Sequence, residues 1–232
     1  MCLGKHHPSG RCIDIAGVTA SALRAFMSTG EAVGPDGDQT SGNGSLMRLA
    51  PVALVVQGDK DKAAMLARAQ SHVTHASAAC LEACECMAVM LVEEIATGER
   101  RAALDASLER HFAHPDVEAL ARGAWASLGW GDVLSGGYVI DTLCASPWSV
   151  GNTDDFDDAV VLAANLAGEA DTTGTVAGVL AGAIYGASGI SERWLKSLSR
   201  RHQHHTRNDR QAECPSLSIT PAFLSHHDYD GL

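Results

Sequence analysis

Residues 171–186, "DTTGTVAGVLAGAIYG", place Gly174, Gly178, Gly182 and Gly186 at four-residue intervals in a run that otherwise favours helix. Four residues is close to one helical turn, so these glycines share a face. Each interior glycine costs roughly 0.5–1 kcal/mol relative to alanine, about 2–4 kcal/mol for the set. A smooth ridge that lets a second helix approach closely is the natural compensation. The stretch is therefore expected to be a central helix of a helical fold. Its apolar part, Val176–Ile190, is too short and glycine-rich to span a membrane.

The rest of the chain follows the same period. "DIAGVTASALRAFMSTG" aligns Ile15, Val18, Ala22 and Phe26 and ends at Gly30; "SAACLEACECMAVMLVEEIATG" ends at Gly98, where a glycine C-cap fits. "DKAAMLARAQSHVTH", "DVEALARGAWASLG", "YVIDTLCASPW", "TDDFDDAVVLAANLAG" and "SERWLKSL" complete the helical series. No pair of strand-like runs flanks a hairpin turn. With 46% hydrophobic residues, 5% aromatic residues and abundant Ala and Gly, the chain reads as all-α. The helical domain is expected over residues 1–199. Residues 200–232, polar and carrying five of the eleven histidines, are expected to be a poorly ordered tail.

A formal net charge of −11 argues against a nucleic-acid surface, which needs clustered Lys and Arg. No basic-then-apolar leader is visible, and the seven cysteines contain no CxxC pair. Buried free thiols and a cytoplasmic location are expected. A monomer is expected as well.

Two constellations carry possible chemistry. At the mouth of the glycine helix stand Glu169, Asp171, Thr172 and Thr173. They read either as an N-cap, with Asp171 or Thr172 accepting a backbone N–H, or as hard oxygen ligands for a divalent cation. Thr153-Asp154-Asp155 looks similar but precedes an ordinary helix start and reads as a cap. The second constellation is the loop of residues 31–45, ending "TSGNGS" before a helix start at Leu46. Its small residues could turn backbone N–H groups towards an anion or form a plain turn; Arg48 could meet a phosphate or anchor the loop.

Taken together, "SGNGSLMRLAPVAL", "THAS", "SGGYVIDTL", "FDDAVVLAANLAGEADTTGTVAGVLAGAIYG" and "ISERW" resemble the ADP-ribosylglycohydrolase family, in its motif order, across roughly residues 9–197. The resemblance implies a compact orthogonal multi-helix bundle of that family's type and a two-metal site, Mg²⁺ or Mn²⁺, with Glu169, Asp171 and Thr172 as ligands. Here Glu169 replaces the family's first Asp. Glu169 and Asp171 would also be the catalytic carboxylates. Ser41, Gly42, Asn43 and Gly44 would cradle a diphosphate. His75 and the Gly136-Gly137-Tyr138 turn would lie near the nucleoside end, although His75 by itself also reads as a packed or capping residue and Tyr138 as a core ring. The implied activity is metal-dependent cleavage of the glycosidic bond between ADP-ribose and a protein side chain or small compound. The family's "GDALG"-like opening and Thr-Asp-Asp motif do not precede "SGRCIDIAG", so the chain looks like an N-terminally truncated member. A catalytically inactive, crystallin-like or ADP-ribose-binding role, or a fragment without function of its own, is the alternative.

Overall fold

The structure is a computed structural model that describes residues 15–56 and 58–197. The expected tail after residue 199 lies outside the described residues. The described residues up to Ser191 make one compact unit, and Glu192–Ser197 belong to a second.

Eleven α-helices are present among the described residues: α1 (Gly17–Thr29), α2 (Gly44–Met47), α3 (Ala50–Val56), α4 (Lys60–His72), α5 (Ala78–Thr97), α6 (Arg100–Asp105), α7 (Pro115–Ala121), α8 (Val139–Gly151), α9 (Phe156–Asn165), α10 (Ala170–Tyr185) and α11 (Glu192–Ser197). Among the same residues there is no strand, only an isolated antiparallel bridge between Gly42 and Tyr138. The all-α expectation holds.

Local chemistry accounts for most helix ends. Ser77 caps α5, its hydroxyl accepting from Cys80 N–H, and Gly98 closes that helix in the left-handed region at φ 66°. Gly30 closes α1 in the same way. Asp155 caps α9 by accepting from Asp158 N–H at 2.7 Å, so the Thr-Asp-Asp run is a helix start. Helix α5 is the core of the bundle, with Cys80, Cys84, Met87, Met90, Leu91 and Val92 all buried. Helices α3, α4, α6, α8 and α10 all pack against it. Its charged residues are turned to use: Glu85 pairs with Arg68 and Arg110, and Glu82 accepts from His114 N–H at the start of α7.

The glycine ridge of α10 meets α9. A Cβ built on Gly174 would lie 3.9 Å from Ala164, one on Gly178 3.5 Å from Val160, and one on Gly182 3.9 Å from Phe156. The partners run backwards along α9 as the glycines run forwards along α10, so the pair is antiparallel. Gly186 is not part of the ridge; it ends the helix with a positive φ.

One helix was not foreseen, and two expectations need correction. Helix α6 follows α5 directly, and its short charged start "ERRAALD" carries too few apolar positions to show a period. The first helical turn after the glycine loop begins at Gly44 rather than Leu46 and breaks at Arg48 before α3. The α1 stripe does not face a core throughout: Ala22 is buried, but Phe26 is 49% exposed.

Candidate functional site

Asn43, Ser77, Tyr138 and Glu169 are the N-cap residues of α2, α5, α8 and α10. They are far apart in sequence and adjacent in space. Asn43 N–H donates to Gly137 O at 3.1 Å, and Val139 N–H donates to Ser41 O at 2.9 Å on either side of the Gly42–Tyr138 bridge. Ser41 Oγ donates to Ser77 Oγ at 2.8 Å. A Cβ on Gly137 would stand 3.8 Å from Glu169 Oε1. Four helix N-termini, three of them on helices of at least 13 residues, thus open onto one place. Such ends carry partial positive charge and favour anions.

The glycine loop contributes backbone to this place, while its side chains point inward. Asn43 is buried, and its Nδ2 donates to Thr142 Oγ1 at 3.0 Å and to Gly136 O at 3.4 Å. Two thiols of α5 hold the loop from below, Cys80 Sγ donating to Gly42 O and Cys84 Sγ to Ser45 Oγ, each at 3.3 Å. Burial pushes the Cys84 thiol up to about 11, so it stays protonated as a donor. All four described cysteines are free and buried, as expected.

Arg48 anchors the loop. Its Nε donates to Gln70 Oε1 at 2.8 Å, and its Nη2 donates to Gln70 O at 2.7 Å and Thr74 Oγ1 at 2.5 Å. Gln70 in turn donates to Ser45 O. His75, 1% exposed, lays its ring against the loop: Nε2 is 3.5 Å from where a Cβ of Gly42 would stand and 3.2 Å from that of Gly44. Burial, reinforced by the charge on Arg48, lowers the His75 pKa to about 4, so the ring is neutral near pH 7.

At the acidic mouth no side chain caps α10 from the N-cap position, and Asp171 makes one local bond of the kind a cap would make. Glu169 occupies the N-cap position of α10 without a side-chain cap bond, and Asp171 Oδ1 accepts only from the adjacent Thr172 N–H. Both carboxylates are exposed, whereas Thr172 and Thr173 are buried. The mouth is positioned by Ser135: its carbonyl accepts from Glu169 N–H at 2.7 Å, and its hydroxyl donates to Ala167 O at 2.8 Å and Leu166 O at 3.1 Å. Gly168, at φ 59°, is required there, because a Cβ would stand 2.4 Å from Ser135 O.

Tyr138 is not a core ring; it is 38% exposed on the rim. Beside it, Asp141 in the first turn of α8 lines a cleft of about 210 Å³ with Asp116, Asp132, Leu134 and Ile140. Burial raises the Asp141 pKa, and a hydrogen bond from Gly136 N–H opposes that rise.

The structure therefore brings Ser41, Gly42, Asn43, Gly44, His75, Gly136, Gly137, Tyr138 and Glu169 into one neighbourhood, with Asp171 and Thr172 on the first turn of the helix that Glu169 opens. Sequence reading missed Gln70, Thr74, Ser77, Ser135 and Thr142, the residues that hold the others. Thr74 and Ser77 stood within the noted "THAS", and Ser135 and Thr142 within "SGGYVIDTL", without being singled out; Gln70 is an ordinary polar residue on a helix, with no local signal.

Fold and site together define an all-helical domain whose polar centre lies where several helix N-termini meet an acidic rim. The family model of the ADP-ribosylglycohydrolases matches residues 3–217, and the chain belongs to that family. It is 33% identical over 199 residues to the ADP-ribosylarginine hydrolase Tri1 of Pseudomonas putida (strain GB-1), covering 84% of this chain and 53% of that one. The ADP-ribosyl-[dinitrogen reductase] glycohydrolase of Rhodospirillum rubrum is 27% identical over 197 residues, 85% of this chain and 64% of the relative. A solved structure described as an ADP-ribosylglycohydrolase-related protein complex superposes with a TM-score of 0.72 at 33% identity, over 82% of this chain and 66% of that chain. The chain spans about half the length of the Tri1 relative.

Proposed function

We propose that this chain is the ADP-ribose-binding and hydrolytic portion of a metal-dependent ADP-ribosyl hydrolase, acting on ADP-ribosylated arginine in a protein or small compound. The observation that carries the reading is the convergence of four helix N-termini on a glycine loop, with Glu169 and Asp171 exposed on the rim. The N-termini and the backbone of residues 41–44 suit a diphosphate. Tyr138, exposed beside them, offers a ring face to the nucleoside. The name of the Tri1 relative supplies the arginine linkage, and that of the Rhodospirillum rubrum relative an ADP-ribosylated protein.

Glu169, Asp171 and Thr172 supply two carboxylates and a hydroxyl, hard oxygen donors that fit Mg²⁺ or Mn²⁺. Among the described residues no group of three or more His, Cys, Asp or Glu side chains is gathered to hold a metal. In this reading they would form one side of a coordination sphere. A bound cation would supply polarisation of the ribose hydroxyls and of a water. The protein's own part is to fix the diphosphate on the loop, to hold the ribose at the mouth of α10, and to accept the water's proton on a rim carboxylate.

The one-sided ligand set favours a second reading, an ADP-ribose-binding domain without turnover. Calorimetric titration with ADP-ribose and Mn²⁺, followed by an assay on ADP-ribosylarginine, separates the two. Binding with turnover that Asp171→Ala abolishes supports the hydrolase. Binding without turnover moves the assignment to the binding domain, and the absence of ADP-ribose binding defeats both.

A further inference from the structure

The turn from α9 into α10 holds an alanine where glycine is the usual occupant. Ala167, two residues past the end of α9, has a φ of 67°, the only positive φ outside glycine among the described residues. Gly168 follows it at 59°. A position just beyond a helix often takes this left-handed form, but a Cβ is crowded there and glycine avoids the cost. Ala167 is exposed, so no packing of its methyl compensates.

Ser135 closes on the turn from both sides. It is 7% exposed, and its hydroxyl donates to Ala167 O at 2.8 Å, with Leu166 O at 3.1 Å. Its carbonyl accepts from Glu169 N–H at 2.7 Å. The segment that carries Ser135 is in turn fixed to the glycine loop. Asn43 N–H donates to Gly137 O at 3.1 Å, and Asn43 Nδ2 donates to Gly136 O at 3.4 Å.

We infer that the Ser135 hydroxyl is a clasp that holds Ala167 in its left-handed conformation, which makes Ser135 the positioning residue for the Glu169 carboxylate at the cation mouth. It acts through the backbone and touches neither cation nor substrate. Without the hydroxyl, Ala167 relaxes out of the left-handed region, and the N–H of Glu169 leaves Ser135 O with it. Because Asn43 anchors the same segment, the clasp also sets the spacing between the backbone that faces the diphosphate and the carboxylate that faces the ribose. The cation half of the inference rests on the reading proposed above; the clasp half rests on the turn alone.

The test uses the full chain. Hydrogen exchange of the Glu169 N–H, without added metal, reads the clasp, and calorimetric titration with Mn²⁺ alone reads the carboxylate. Ser135→Ala is expected to speed that exchange about tenfold and to weaken Mn²⁺ binding about tenfold, as loss of an outer support of a metal ligand implies. Adding Ala167→Gly to Ser135→Ala is expected to restore both, since glycine takes the left-handed form without a clasp. A serine needed only for stability would not be rescued in this way. Ala167→Gly by itself should leave Mn²⁺ affinity at the parent value and raise the melting temperature by about 2–4 °C. Unaltered exchange in Ser135→Ala, or fast exchange that persists in the double variant, overturns the clasp. Unaltered Mn²⁺ affinity despite faster exchange overturns the positioning role. If the parent binds no Mn²⁺, the metal part of the proposed function falls and the positioning role with it, while the exchange rates still decide the clasp. Cooperative melts of all three variants show that folded states are being compared.

Discussion

Two glycine-rich regions of this protein look alike on paper and differ in what they require. Along α10, Gly174, Gly178 and Gly182 recur with helical regularity, yet a Cβ at each would make ordinary contact with α9 at 3.5–3.9 Å. At the site, Gly34 and Gly168 stand singly. A Cβ on Gly34 would lie 2.2 Å from the carbonyl carbon of Thr74, and one on Gly168 would meet Ser135 O at 2.4 Å. Periodicity therefore marks a packing seam with some slack, whereas isolated glycines mark places where two backbones touch. The functional end of the molecule depends on the latter.

The contrast is sharpest at Gly34. Gly34→Ala must displace the segment that carries Thr74 and His75, and urea unfolding is expected to show a loss of at least about 3 kcal/mol. Gly168→Ala adds backbone strain to a collision with Ser135 and should cost about 2–4 kcal/mol. Substitution of either at less than about 1 kcal/mol would erase the distinction between the two regions.

The polar interior offers a second contrast, between the two ends of α5. At its N-terminal end Ser77, Cys80 and Cys84 all have partners beneath the glycine loop. There the neutral His75 makes stability depend on acid. Its pKa is about 4 in the fold, against about 6.5 for an exposed imidazole. The unfolded chain takes up the proton first, so stability is complete above about pH 6.5 and falls towards pH 4, by roughly 2–3 kcal/mol. His75→Gln should flatten that slope in unfolding curves taken from pH 7 to pH 4.

At the C-terminal end Glu94 is 1% exposed, and neither carboxylate oxygen has a hydrogen-bond partner among the described residues. Burial, and after it the charge of Glu99, raises its pKa. A raised carboxyl pKa means that the unfolded chain loses its proton first as pH rises, so Glu94 weakens the fold above the usual carboxylate range. Glu94→Gln is expected to stabilise the protein by about 1 kcal/mol at pH 8 and by less at pH 5. A loss at both pH values would show that this end is as fully partnered as the other.

The smallest effect returns to the seam. Gly182→Ala should stabilise α10 by about 0.5–1 kcal/mol, because the helix gains propensity and the added methyl meets Phe156 at contact distance. Destabilisation there would mean that the ridge has no slack after all.

What could be read from the sequence was whatever is decided within a few residues. Gly98, Gly30 and Asp155 mark helix ends because a cap acts over three or four positions, and the 3.6-residue period showed the helices between them. The family motifs located the site segments for the same reason: they are short and local. The approach of α9 to α10 was anticipated only as an unnamed close partner. Tertiary structure alone decided that Ser41, Asn43 and Arg48 turn inward rather than towards a ligand. Their partners, Ser77, Thr142 and the Gln70–Thr74 pair, lie 36, 99 and 22–26 residues away. A side chain's direction follows from which distant backbone arrives beside it, and that depends on the path of the whole chain. The same holds for Thr74, whose hydroxyl stands between the guanidinium of Arg48, 26 residues earlier, and the ring of His75.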